Sequence, residues 1–84
     1  MSGERLAQAR EMIDGVLQGK ITAQTHPAVF QDDLLYLNVR LVEQGDWPWL
    51  QGRLGDKGVP RERRLEIVSN LSPAGRRAVQ ALVD

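Results

Sequence analysis

Apolar positions first recur along this chain at helical spacing. Leu6, Ala9, Met12, Ile13, Val16 and Leu17 fall on one stripe, and Glu4, Gln8, Glu11 and Gln18 fall opposite it, as a period of 3.6 residues requires. The pattern predicts a helix capped by Ser2 and running to about Gln18, with Glu4 favourably placed in its first turn and Gly19 as its stop. Residues 19–26 read as a connector. Thr25 or His26 then caps a second helix, with Pro27 at its first position, where the missing N–H costs least. Val29, Phe30, Leu34, Leu35, Tyr36, Leu37, Val39, Leu41 and Val42 leave that segment little polar face. The spacing predicts one helix from Pro27 to Glu43, ending at Gln44-Gly45, that is central in the core or forms an interface. Leu35, Leu37, Val39 and Leu41 also alternate as a strand would. Helix is the better reading, because the segment is long and rich in leucine and a lone strand has nothing to pair with.

Asp46-Trp47-Pro48 is a start signal, an N-cap followed by proline in the first turn. Trp47, Leu50 and Leu54 then share a face, which predicts a short third helix from about Trp47 to Leu54. Lys57-Gly58 closes a turn, and Pro60 opens a fourth helix to about Asn70 with Leu65, Ile67, Val68 and Leu71 on its apolar side. Ser72-Pro73 caps a fifth helix to about Val83, with Ala74, Ala78, Val79 and Leu82 inward. Residues 1–84 thus read as a single all-α domain of four or five short helices, without repeat, linker or low-complexity tract.

Composition narrows this picture. Eighty-four residues leave a marginal core, and with no cysteine and one histidine neither a disulfide nor a thiolate or imidazole zinc site can reinforce it. Packing, or association with a partner or a second copy, must do so. The polar start of the chain lacks a signal-peptide core, and its longest apolar stretch, Leu34 to Val42, is interrupted by Asn38 and Arg40 and is too short to span a bilayer. A cytoplasmic protein with no membrane contact is expected. The arginine-, glycine- and leucine-rich composition is common in GC-rich bacteria, their phages and mobile elements.

Charge adds the clearest lead. The chain is neutral overall, yet residues 1–50 hold four basic and seven acidic residues while residues 51–84 hold seven basic and four acidic. Polarity of this kind orients a docking partner. On the fifth helix Arg76, Arg77 and Gln80 lie opposite the apolar stripe, and on the fourth Arg63 points outward with Glu62 and Glu66. Arg61 and Arg64 lie nearer the apolar side, where their stems can cover the core.

No catalytic, cofactor or metal motif is present. Asp32 and Asp33 diverge by about 100° on a helix and do not converge on one ion, so dipole compensation accounts for them. His26 is a lone histidine at a cap, and Ser69 and Ser72 lack a nucleophile elbow. No enzyme activity and no cofactor are expected.

The expected function is a small protein-interaction module: a regulator, adaptor or inhibitor that binds a larger bacterial protein, pairs with its own copy, or both. Its expected partner-binding residues are Tyr36, Trp49, Arg63, Arg76 and Arg77. One of the two tryptophans belongs to the core, leaving the other as an anchor of the kind enriched at binding hot spots. The alternative is a helix-turn-helix-like DNA-binding regulator using the arginine-rich C-terminal helices. Against DNA stand the neutral charge, an isoelectric point of about 6.6, and the interleaved Glu62 and Glu66.

Overall fold

The computed structural model describes residues 2–83, with the side chain of Ser2 excepted. The cap expected at Ser2 and the charge of Asp84 therefore lie outside the described residues. Six helices and no strand are found among those described: α1 (Ser2–Leu17), α2 (Pro27–Gln31), α3 (Leu34–Gly45), α4 (Trp47–Leu54), α5 (Arg61–Val68) and α6 (Pro73–Val83). No helix among them is long and apolar enough to cross a membrane.

α1 ends as the glycine signal requires. Gly19 adopts φ 78°, in the left-handed region that other residues resist. The Lys20 N–H donates to Gly15 O at 2.9 Å and the Gly19 N–H to Val16 O at 3.1 Å, which together form a Schellman motif. α1 packs antiparallel against α3: Leu6 lies beside Gly45, whereas Met12 Sδ accepts a hydrogen bond from Asn38 Nδ2 at 3.4 Å. Ala9, Ile13, Val16 and Leu17 of α1 meet Leu35, Val39 and Val42 of α3 in the buried core. Leu50 and Leu54 of α4, Ile67 of α5, and Val79 and Val83 of α6 complete that core.

The single helix expected over residues 27–43 is broken in two. Asp33 sits at the N-cap of α3 with φ 60°, and its carbonyl accepts the first helical hydrogen bond from Leu37 N–H at 3.0 Å. Aspartate tolerates this left-handed conformation better than most residues. The break has a packing reason. A continuous helix would turn Val29 about 110° away from the stripe Leu35–Val39–Val42, whereas the kink lets Val29 join the same core. Asp32 and Asp33 are thus the corner between two helices rather than dipole compensation within one.

α6 also departs from the expected register. Gly75, Val79 and Val83 are buried, while Ala74, Ala78 and Leu82 are exposed. The seam runs through Gly75 because Glu43 of α3 lies there, so close that a Cβ on Gly75 would overlap its carboxylate. Ser72 caps α6 as expected, its Oγ accepting from the Gly75 N–H at 3.1 Å. Its own hydroxyl donates to Glu43 Oε2, and its backbone N–H donates to Glu43 Oε1 at 3.0 Å. A carboxylate at a helix N-terminus is favoured by the helix dipole.

Candidate interaction surface

The arginines of the C-terminal segment sort into those used by the fold and those left at its surface. Arg64 belongs wholly to the fold. It is 5% exposed, more deeply buried than the stem-covering position expected of it. Its Nε donates to Val59 O at 3.0 Å, and its Nη1 donates to Leu54 O at 3.3 Å and Val83 O at 3.0 Å. Leu54 and Val83 are the last residues of α4 and α6, whose terminal carbonyls have no partner within their own helices. One cation therefore satisfies the ends of two helices and the connecting loop, with the sign their dipoles favour. Position 64 lies in the buried register with Ile67 and Leu71, and the run Arg-Glu-Arg-Arg masks that register in the sequence.

Arg63 is exposed but engaged. Its guanidinium lies against Gly19, and its Nη1 reaches Leu17 O at 3.4 Å, supplementing the end of α1. It borders a cleft of about 260 Å³ with Val16, Ile21, Phe30, Glu62 and Glu66, on the α1 side of α5.

Arg76 and Arg77 are exposed and border a different cleft, of about 330 Å³, between α5 and α6. Leu65, Val68 and Val83 supply its apolar lining, with Arg61 and Gln80 also at its rim. Arg76 Nη1 reaches Ser69 O only at 3.5 Å, the long limit for a hydrogen bond. Arg77 has no ion-pair or hydrogen-bond partner among the described residues.

Tyr36 and Trp49 do not join this cleft. Tyr36 is 42% exposed on α3, where its hydroxyl accepts a hydrogen bond from Arg40 Nη1 at 3.1 Å, with the guanidinium 5.8 Å from its ring centre. Trp49 and Trp47 are both half-buried and packed against the core, so the expected division into one core and one surface tryptophan is not found. The five expected partner-binding residues therefore lie in four places, and only Arg76 and Arg77 share one.

No known protein family, curated protein or solved structure matches this chain. Its surface chemistry alone carries the functional reading.

Leu65, Val68 and Val83 were expected on the inward side or at a helix end, not as the lining of a cleft. The signal available in the sequence was the phase of α6: placing Gly75, Val79 and Val83 on one seam leaves Arg76, Arg77 and Gln80 beside α5. Among the described residues, no three His, Asp or Glu side chains converge to hold a metal ion.

Proposed function

We propose that this chain is a non-enzymatic protein-interaction module, a cytoplasmic regulator, adaptor or inhibitor of bacterial or phage origin, that docks through the α5–α6 cleft. The observation that carries the reading is the pairing of exposed Arg76 and Arg77 with an apolar lining of Leu65, Val68 and Val83. Apolar contacts supply affinity, while cations beside them steer and orient an incoming anionic surface. The complement is a protein segment with carboxylates flanking a short apolar stripe.

A helix-turn-helix reading has one observation in its favour. α6 follows α5 after a short break and exposes Arg76, Arg77 and Gln80, side chains that contact phosphates and bases. Phosphates have no use for the apolar lining, however, and exposed Glu62 on α5 repels them.

The two readings separate in one titration. A labelled amphipathic peptide carrying glutamates and leucines at helical spacing, its scrambled isomer and a mixed-sequence DNA duplex are each titrated with the protein. The expected result is saturable binding of the amphipathic peptide over its isomer, lost in an Arg76→Ala/Arg77→Ala variant. Preference for DNA with a steep salt dependence would instead support the helix-turn-helix reading. Equal binding of both peptides would remove the cleft from consideration.

A further inference from the structure

The most exposed large apolar side chain among the described residues lies away from the α5–α6 cleft. Leu37 on α3 is 58% exposed, and Leu34 on the same helix is 38% exposed. At about 100° per residue, Leu34, Leu37 and half-buried Leu41 fall within about 60° of one another, on the side of α3 turned away from Leu35, Val39 and Val42. Asp33 and Arg40 border Leu37 on this face. Asp33 makes no side-chain capping bond and has no ion-pair partner among the described residues. Arg40 is held by the Tyr36 hydroxyl and is ion-paired with Glu43, its buried Nε lying 3.3 Å from Glu43 Oε1 without a hydrogen bond.

We propose that this face of α3 docks on the same face of a second copy of the chain, with the two α3 helices antiparallel about a two-fold axis at Leu37. The order of residues is self-complementary. Asp33 stands four positions before Leu37 and Arg40 three after, so they lie about 6 Å and 4.5 Å from the axis along the helix. Antiparallel pairing brings each Asp33 level with the partner's Arg40 to within about 1.5 Å. It sets Leu37 against the partner's Leu37 and Leu34 against the partner's Leu41. In a two-fold interface each contact is made twice, so the unpaired Asp33 of each chain gains the partner's Arg40, which is shared with Glu43 of its own chain. Parallel pairing would set like charges opposite each other. A twelve-residue helix face is smaller than the usual patch of about 800 Å² per partner, so the dimer forms in a concentration-dependent way.

The test uses the absence of native cysteine. A Leu37→Cys variant, oxidised mildly, is expected to form a disulfide-linked dimer much faster than a Glu11→Cys variant, whose thiol lies on an exposed face of α1. By sedimentation equilibrium, the wild type is expected to associate reversibly. Leu37→Glu should weaken that association about tenfold or more, and Asp33→Asn, which suits the left-handed corner, should weaken it less and reduce its salt dependence. Because Leu37 is exposed, the folded state survives these changes, which circular dichroism verifies. A wild type that stays monomeric at every concentration, a dimer insensitive to Leu37→Glu, or equal cross-linking of the two cysteine variants would each overturn the proposal. None of these outcomes bears on peptide binding in the α5–α6 cleft.

Discussion

The acidic and basic halves of this chain carry opposite net charges of equal size, but they spend them differently. In residues 1–50 the carboxylates that matter are consumed by the fold. Asp14 accepts from Arg53 Nε at 2.8 Å, Asp46 from Arg10 Nη1 at 3.0 Å, and Glu43 holds the start of α6. The remaining acids lie along exposed faces of α1 and at the α2–α3 corner. In residues 51–84 the arginines split within two neighbouring helices. Arg64 is buried on backbone carbonyls, Arg63 braces the end of α1, and Arg76 and Arg77 stay at the surface beside an apolar cleft. A charge count therefore overstates the polarity of the surface, and what distinguishes the halves is which ions are left after the helix ends have been served.

Substitutions in each class should separate these roles by size of effect. Arg64→Met keeps the side chain's bulk but leaves the carbonyls of Leu54, Val59 and Val83 without their donor. A loss of about 3 kcal/mol is expected, enough to lower the melting temperature by about 15 °C in thermal denaturation. A shift of only a few degrees would mean that the carbonyls find other partners.

Gly75→Ala tests the other end of α6. The new methyl group meets the Glu43 carboxylate that holds Ser72, so a destabilisation of about 2 kcal/mol is expected in urea denaturation. The gain in helix propensity from glycine to alanine, about 1 kcal/mol, would prevail only if Glu43 can withdraw without loss. A Gly75→Ala variant more stable than wild type would therefore show that the Glu43–Ser72 contact contributes little.

The smallest stability effect is expected from Arg76→Ala/Arg77→Ala. Both side chains are exposed, and the melting curve should move by no more than about 0.5 kcal/mol. A larger loss would place these two arginines with Arg64 rather than with the surface, and would end the contrast between them.

Much of the architecture was legible from local chemistry. Gly19, Pro27, Trp47-Pro48 and Ser72-Pro73 mark helix ends that are found where those residues place them. These signals are local, because a cap or a left-handed turn is set by one or two residues. The corner at Asp32–Asp33 was not legible: neither glycine nor proline marks it, and the apolar run on both sides favours continuity. Only the phase mismatch between Val29 and the Leu35 stripe betrays it. The register of α6 was misread for a related reason. Hydrophobicity gives glycine no weight, yet Gly75 is the position where α6 makes room for the Glu43 carboxylate of α3. The candidate surface depended on that register, so the exposure of Arg76 and Arg77 was anticipated while the apolar lining beside them was not.

The burial of Arg64 also bears on how a partner would be received. α5 carries Leu65 and Val68 on one wall of the cleft, and α6 carries Gln80 and Val83 on the other. The hydrogen bond from Arg64 to Val83 O ties those walls together from beneath. That bond sets the spacing of the two helices at this end of the cleft before anything arrives. A partner docking there, as proposed, would be selected by the shape of the cleft as much as by the charges at its rim.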